Sequence, residues 1–232
     1  MRENRRFYDS LWSGARLILP HRFNTWPLVS SLLAPQQMRL EVAPGLRPRL
    51  PLEDTLFLDI SAAALGPLRA AGSRVMQGQI GAIPLPSATV DFLCAFDVIE
   101  HVDDEDGALS ELSRVARPGA VMLASVPLHP DRWTPFDDFV GHRRRYEPER
   151  LLSKLDEHGF DVERSAVYGL QAKSSRLLDA GMWWLTHFRD HAMWWYNLCM
   201  PLSLSRQPTL ALQAGLIDAT GVDEVLLVCR KR

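Results

Sequence analysis

Four of the seven histidines are candidates for proton transfer: His21, His101, His129 and His142. Histidine is the side chain whose ordinary pKa lies closest to neutrality. His101 and His129 each follow an apolar run that is predicted to be a strand. We interpret these two as candidate catalytic residues, although a base is needed only when the reacting group carries a proton.

Acidic residues next to His101 could also bind a metal ion. Asp97, Glu100 and His101 fall at positions i, i+3 and i+4, which share one face of a helical turn. The alternative is that Glu100 and His101 cap and orient the helix that follows. We favour this alternative and predict no metal.

A basic segment follows at residues 141–151, GHRRRYEPERL. Guanidinium groups bind carboxylates and phosphates through paired hydrogen bonds, so this segment could clamp an anionic group of a substrate. A solvated loop whose arginines pair with Asp137 and Asp138 is an equally supported alternative. We predict as substrate-binding residues His142, Arg143, Arg145, Tyr146 and, from a tryptophan-rich segment further along the chain, Trp183.

Short apolar runs are predicted to be the strands that position these residues. They span residues 38–44, 55–61, 74–80, 90–99, 120–127, 161–169 and 224–232. Helical patterns lie between them, most clearly at residues 62–72, 103–119 and 147–160. Strands that alternate with helices and are almost continuously apolar are typical of a mostly parallel sheet covered on both faces. We therefore predict a doubly wound α/β fold.

The 232 residues are predicted to form a single domain, because this length suits one large α/β domain. Between Glu3 and Ile18, apolar residues recur about one helical turn apart, which predicts an amphipathic helix that lies on the domain. The predicted parts are an N-terminal helical cap (1–37), a core (38–169), a helical insertion (170–223) and a final strand (224–232).

The predicted insertion is rich in tryptophan. Met182-Trp183-Trp184 recurs eleven residues later as Met193-Trp194-Trp195, and eleven residues are close to a whole number of helical turns. We therefore expect both triplets on one helical face. Packing on the core or in a homodimer is our first interpretation, a lid over a large apolar substrate the second, and shallow contact with a membrane surface the third.

Composition limits the classes of partner. A net charge of −2 produces no field that attracts nucleic acid, so we predict no nucleic-acid partner. The cysteines have apolar neighbours and form no CxxC pair, as expected for buried, reduced thiols. No apolar stretch approaches the roughly 20 residues of a membrane span, and the N-terminus lacks a signal-peptide core. We expect a cytoplasmic protein.

Ligands of open parallel sheets bind beyond the carboxyl ends of the strands. Asp59 ends the second predicted strand, where a carboxylate can accept from both hydroxyls of a ribose; the alternative is a residue that only begins the next helix. The GxGxxG pattern that cradles a diphosphate is missing, since only Gly45 remains and Pro48 and Pro51 leave little room for a helix. This argues against a dinucleotide and favours a nucleoside cofactor without phosphate.

Several motifs together resemble those of the class I S-adenosylmethionine-dependent methyltransferases of the small-molecule type. The segments are LEVAPG (40–45), LFLDIS (56–61), QGQIGAIPLPSATVDFLCAFDVIEHV (77–102), SELSRVARPGAVMLASVP (110–127) and GHRRRYEPERL (141–151). The resemblance implies a Rossmann-like fold and S-adenosylmethionine as cofactor. It implies as cofactor-binding residues Glu41, Ala43, Gly45, Asp59, Ile60, Gln79, Ile80 and Phe96.

Within this resemblance, Glu41 and Gly45 would lie near the methionine end of the cofactor, and Phe96 beside its sulfonium. Three features depart from the usual pattern: the loop at Ala43, which Pro44 stiffens, the residue at position 79, and the first helix, which is expected to be missing. Ala43 stands where a glycine is usual, and Gln79 stands where an acid usually accepts from the adenine amino group.

The function implied is methyl transfer from S-adenosylmethionine to a small or mid-sized, partly apolar metabolite. The alternative is a degenerate methyltransferase-like binding or scaffold module without turnover, suggested by the altered glycine loop and by Gln79.

Overall fold

The computed structural model describes residues 2–169 and 175–232. The helices are α1 (Arg2–Gly14), α2 (Trp26–Leu32), α3 (Ala62–Ala70), α4 (Glu105–Val115), α5 (Pro135–Val140), α6 (Pro148–Glu157), α7 (Ser175–His187) and α8 (Arg189–Leu204). The strands are β1 (Arg39–Val42), β2 (Thr55–Asp59), β3 (Arg74–Gln77), β4 (Val90–Phe96), β5 (Ala116–Pro127), β6 (Phe160–Val167), β7 (Gln213–Ala214) and β8 (Glu224–Lys231). Short 3-10 turns span Pro20–Arg22, Ile99–His101 and Pro130–Arg132.

The strands form one sheet in the order β3-β2-β1-β4-β5-β8-β6-β7. The strands from β3 to β5 in this order pair in parallel, whereas β8 runs antiparallel to β5 and β6, and β7 antiparallel to β6. The predicted α/β fold with a mostly parallel sheet is confirmed. The strand order reverses between β1 and β4, so their carboxyl ends flank the switch point where such sheets bind ligands.

Both faces of the sheet are covered, which explains the continuous apolar strands. Leu93 of β4 packs in one cluster with Leu112 of α4. Its neighbour Phe92 packs in another with Val29 of α2. Successive side chains of a strand point to opposite faces, so each face needs its own apolar cover.

The start of helix α4 and its buried face both agree with the pattern in its sequence. The Asp104 carboxylate accepts a hydrogen bond from the Gly107 N–H at 2.8 Å, which caps the free amides of the first turn. Leu109, Leu112 and Val115 are buried at helical spacing.

The connection from β1 to β2, residues 43–54, contains no helix, as its prolines led us to expect. It turns inwards instead, and Leu46 and Leu50 are fully buried. The loop after β1 is therefore part of the core rather than a surface turn.

The tryptophan-rich segment forms two helices. α7 ends at His187 and α8 begins at Arg189, because Phe188 between them is not helical (φ −137°, ψ 53°). The two Met-Trp-Trp triplets lie on different helices, and the expectation that they share one helical face is wrong. The side chains of Trp183 and Trp194 are 56% and 58% exposed, whereas that of Met193 is 3% exposed, so these two rings do not pack on the core; packing on a second copy stays a prediction.

No helix within the described ranges is long and apolar enough to cross a bilayer. Cys94 and Cys229 are buried, as expected, whereas Cys199 is exposed on α8. The expectation of a buried thiol is therefore wrong for Cys199.

Candidate cofactor and acceptor site

Asp59 holds the loop that follows β1 at the switch point. Its carboxylate accepts from the Gly45 N–H at 3.0 Å and from the Ser61 N–H at 2.8 Å, which joins the ends of β1 and β2. Ala43 and Gly45 have φ angles of 53° and 55°. This left-handed conformation costs about 1–2 kcal/mol for an alanine and little for a glycine.

The geometry of Asp59 fits a ribose diol. Burial raises its pKa to about 6, so the group is mainly a carboxylate at neutral pH. A carboxylate has about four acceptor positions, and the two backbone hydrogen bonds leave some of them for hydroxyl groups.

Glu41 supports the same loop from the inside. Its carboxylate accepts from the N–H groups of Arg49 and Leu50, each at 2.8 Å. Burial raises the pKa of Glu41 to about 7, against the effect of these donors. Contact of Glu41 with a cofactor stays a prediction.

The other residues predicted to bind the cofactor differ in exposure. Ile80 is 4% exposed and belongs to the core, whereas Gln79 beside it is exposed and Ile60 is half-buried. The Phe96 ring, at the end of β4, meets that of Tyr168 edge-on with centroids 5.3 Å apart. Their contacts with a cofactor stay predictions.

Helix α1 covers this edge of the sheet. The indole of Trp12 lies directly against Gly45, so that a Cβ at Gly45 would overlap the ring. The Ser61 hydroxyl donates to the Asp9 carboxylate at 2.7 Å. Two side chains of α1 therefore contact the loops after β1 and β2.

His101 is half-buried between α1 and the segment after α5. Its Nε2 is 3.3 Å from the Tyr8 hydroxyl and its Nδ1 is 3.2 Å from the Gly141 carbonyl oxygen. The ring centroids of His101 and His142 are 4.6 Å apart. Burial, and then the neighbouring His142, lower the pKa of His101 to about 3, so its imidazole is neutral at pH 7.

A buried carboxylate orients His142. Its Nδ1 is 2.8 Å from Asp137 Oδ1, and Nδ1–H as donor leaves the lone pair on Nε2. Arg145 donates to both Asp137 oxygens at 2.8 Å. Burial alone would raise the pKa of Asp137, but hydrogen bonds from Arg145 and Thr134 lower it to about 2. Asp137 is therefore a charged anchor for its neighbours.

Glu100, His101 and His142 could together hold a cation, since one ligand atom of each lies within 4.8 Å of the others. Both Glu100 carboxylate oxygens are buried without a hydrogen-bond partner among the described residues. Asp97 does not belong to this set; its Oδ1 accepts from the Ser125 hydroxyl at 2.6 Å. The absence of a bound metal stays a prediction.

The interpretation that Glu100 caps the following helix is wrong, because Asp104 caps α4. Burial raises the pKa of Glu100 well above its ordinary value, and the nearby Asp97 adds to this shift. Glu100 is therefore a buried acid that does not cap α4 and whose carboxyl group has no hydrogen-bond partner among the described residues.

His129, at the end of β5, is held by backbone groups. It has a positive φ of 62°, and its Nε2 is 2.8 Å from the Ala219 carbonyl oxygen. Its backbone N–H donates to the Tyr146 carbonyl at 2.9 Å. A catalytic role for His129 stays a prediction.

The basic segment pairs with acids of the protein itself. Arg143 lies 3.1 Å from Asp103 and Arg144 lies 3.2 Å from Glu105. The Tyr146 hydroxyl donates to Glu105 at 3.1 Å. With Arg145 on Asp137, each arginine of this segment has an acidic partner, so a substrate anion would compete with these pairs.

Sequence reasoning named Asp137 only as a partner of the arginines and missed its contact with His142, as it missed the contacts of Tyr8, Asp9 and Trp12. Asp137 had a signal, since Thr134 and Asp137 have the spacing of a capping box, and that box is present. For Tyr8, Asp9 and Trp12 the only signal was the helical spacing of apolar residues in the N-terminal segment. This spacing predicts a helix but not the part of the sheet that the helix covers. Trp183, the remaining predicted substrate residue, stacks on His187 with ring centroids 4.7 Å apart on the outer part of α7.

The sheet order, the antiparallel β8 and the acid at the end of β2 define a Rossmann-like methyltransferase fold. A crystal structure of an S-adenosylmethionine-dependent methyltransferase from Thermotoga maritima is similar with a TM-score of 0.62 and 16% identity, over 92% of this chain and 90% of that one. The cyclase SpnF is similar with a TM-score of 0.59 and 18% identity, over 90% and 80%. At these identities the likeness shows the fold and not the reaction.

Sequence comparison supplies the family. Residues 42–124 match the family described as methyltransferase domain. A probable S-adenosylmethionine-dependent methyltransferase of Mycolicibacterium smegmatis is 39% identical over 112 residues, which are 46% of this chain and 43% of that protein. A protein of the same description from Mycobacterium tuberculosis is 34% identical over 120 residues, which are 49% and 43%.

Residues 42–124 thus match a methyltransferase domain, and the resemblance to S-adenosylmethionine-dependent methyltransferases and the cofactor implied by the motifs are confirmed. The matched stretch spans less than half the length of these curated relatives.

Proposed function

We propose that this chain transfers a methyl group from S-adenosylmethionine to a small or mid-sized, partly apolar metabolite. Asp59 carries the proposal: it is a buried carboxylate at the end of β2, fixed by two backbone amides at the switch point. The matches to methyltransferases do not favour the alternative of a binding module without turnover.

The loop after β1 supports cofactor binding despite its altered sequence. Ala43 already has a φ of 53°, so this alanine adopts the conformation that a glycine usually supplies in the family. Asp59 would accept from the ribose hydroxyls, and Gly45 would border the methionine end. When bound, S-adenosylmethionine supplies a methyl group that its sulfonium has already activated.

The chain's own contribution is to orient the acceptor and, where needed, to remove a proton. Orientation alone can be worth roughly 7–11 kcal/mol. His101 is supported as a base by its position after β4, but its pKa, lowered to about 3 by burial, makes its neutral imidazole a weak proton acceptor. His142 has the support of Asp137, since a carboxylate on Nδ1–H fixes the ring and stabilises the imidazolium that forms.

The acceptor is proposed to lie beside Phe96 and Tyr168. The half-buried Phe96 ring offers apolar surface next to the end of β4, and Tyr168, 6% exposed, packs against it; sites for partly apolar ligands require such surface. The substrate contacts proposed from the sequence remain His142, Arg143, Arg145, Tyr146 and Trp183.

The exposed apolar face of α7 and α8 is the part of the chain that we propose for contact with another surface. Its members are Leu177, Trp183, Phe188, Trp194, Trp195, Leu198 and Leu202. A second copy of this chain and a membrane surface are the two candidate partners. We also propose the cytoplasmic location that the sequence led us to expect.

Calorimetric titration with S-adenosylhomocysteine tests the cofactor site. Asp59→Asn is expected to weaken binding at least tenfold, about 1.4 kcal/mol, because a neutral amide accepts more weakly from hydroxyls and can leave one backbone donor unpaired. Asp54→Asn is the matched control, since the Asp54 side chain is 89% exposed just before β2. Equal binding by Asp59→Asn would contradict the proposal, as would no heat at millimolar ligand from both the native chain and a Trp12→Ala variant, in which the ring that lies against Gly45 is removed.

A further inference from the structure

Helix α1 lies where the cofactor of the proposed function has to bind. We propose that α1 is a lid that closes the cofactor site with the chain's own side chains, so that S-adenosylmethionine binds only after α1 has moved away. This inference rests on the proposed function, because it concerns access to the same site.

The first observation is the position of the Trp12 ring. A glycine leaves its backbone open to the close approach of another group, and at Gly45 that group is the Trp12 indole. The Arg47 guanidinium lies 5.7 Å from the centroid of this ring and 4.9 Å from that of Tyr196 on α8. Trp12 therefore takes the surface of Gly45 that the methionine end of the cofactor would need.

A second contact of α1 lies next to the ribose-binding acid. The Ser61 N–H donates to Asp59, while the Ser61 hydroxyl donates to Asp9 at 2.7 Å. After burial, the charge of Asp9 is one of the causes that raise the pKa of Asp59. Docked α1 thus brings a second carboxylate towards Asp59, and this repulsion favours release of the helix.

A third contact joins α1 to the loop after β4. The Tyr8 hydroxyl is 3.3 Å from His101 Nε2 and also donates to the Val140 carbonyl at 3.3 Å. Hydrogen bonds of this length between partly buried groups add little net stability, because water replaces them on opening. The lid can therefore open without unfolding the sheet.

The C-terminal end of α1 has a separate attachment. Asn197 of α8 donates from Nδ2 to the Gly14 carbonyl at 2.8 Å and accepts at Oδ1 from the Arg16 N–H at 2.9 Å. These bonds hold residues 14–16 to α8 and not to the sheet edge. The Ser10 hydroxyl of α1 also accepts from Arg189 of α8, so a swing of α1 about residues 14–16 would break this bond as well.

The proposal makes the closed lid and the cofactor competitors for Gly45 and Ser61. The apparent affinity of a site is reduced by the fraction of molecules in which it is open. Removing the Trp12 ring should raise that fraction.

Titration with S-adenosylhomocysteine is the first test. Trp12→Ala is expected to bind about tenfold more tightly than the native chain, and Trp194→Ala, which removes an exposed ring of α8, is expected to bind as the native chain does. Equal or weaker binding by Trp12→Ala overturns the lid while leaving the proposed function in place. If neither the native chain nor Trp12→Ala binds the ligand, the proposed function is overturned, and the lid proposal that rests on it is overturned as well.

Limited trypsin cleavage after Arg6 and Arg16 is a second readout that does not depend on turnover. Saturating S-adenosylhomocysteine should accelerate cleavage of the native chain, because α1 is then displaced. Slower cleavage would mean that α1 closes over the ligand, and an unchanged rate would mean that it does not move; either result overturns the proposal.

Discussion

At the scale of single residues, the site contains carboxyl groups whose surroundings set their charge. Asp137 is charged, because donors from Arg145 and Thr134 outweigh its burial. Asp59 has two backbone donors and a pKa raised to about 6. Glu100 is buried, neither of its oxygens has a hydrogen-bond partner among the described residues, and the nearest ionisable contact is His142 Nε2 at 3.8 Å. Its pKa lies well above the ordinary value. The number of donors, more than depth, separates the three groups.

Glu100→Gln is expected to flatten the pH dependence of stability. The pKa of native Glu100 is raised well above 4.5 by burial, so above that pH the unfolded chain has released a proton that the native state still holds. The native protein therefore loses stability as the pH rises from there through the native pKa. Urea unfolding between about pH 5 and pH 8 should show the variant gaining stability relative to the native protein.

The control for this measurement is Glu111→Gln. Its hydrogen bond to Arg114 lowers the pKa of Glu111, so over the same range the variant should be destabilised by a constant amount. A Glu100→Gln variant that keeps the native slope would show that Glu100 is charged in the folded state.

At the scale of elements, the N-terminal cap of α4 separates the roles of two acids that follow β4, Asp104 and Glu100. Asp104, and not Glu100, accepts from the first turn of α4, so the cap lies four residues beyond the buried acid. This separation keeps Glu100 with His101 and His142 at the edge of the sheet, where the candidate chemistry lies.

Asp104→Ala should destabilise the domain by about 1 kcal/mol, because it leaves the Gly107 N–H without its side-chain acceptor. Asp103→Ala is the matched control, since the side chain of Asp103 is 66% exposed and pairs only with Arg143 among the contacts described; its cost should stay below about 0.5 kcal/mol. Chemical unfolding of both variants measures the difference, and equal costs would argue against the cap.

At the scale of the whole molecule, the exposed face of α7 and α8 is the clearest unpartnered surface of the described chain. Trp194 and Leu198 lie one turn apart on α8 and are 58% and 52% exposed. Apolar side chains that share one exposed face usually meet another surface.

The double variant Trp194→Asp, Leu198→Asp tests this contact. Sedimentation velocity of the native chain at tens of micromolar should show a dimer that the variant loses, if the partner is a second copy. Flotation with phosphatidylcholine–phosphatidylglycerol vesicles should be lost instead, if the partner is a membrane. Leu152→Asp on α6, where Leu152 is 37% exposed, is the control. A native chain that stays monomeric and does not float would contradict both.

The sequence by itself determined the α/β class, the strand positions and Asp59 as an acid at a strand end. These follow from local apolar periodicity and from the rule that parallel strands present their carboxyl ends at one edge. The motifs also identified the methyltransferase family, because they follow one another in a characteristic order.

Only the tertiary structure decided which distant groups meet. Trp12 on Gly45, Asp9 on Ser61 and Asp137 on His142 join segments whose contacts depend on packing, and local spacing has no information about them. The break at Phe188 overturned a single-helix interpretation of the tryptophan triplets for the same reason. Helical periodicity predicts which face of a helix is apolar. Which apolar faces pack against each other depends on the tertiary fold of the chain.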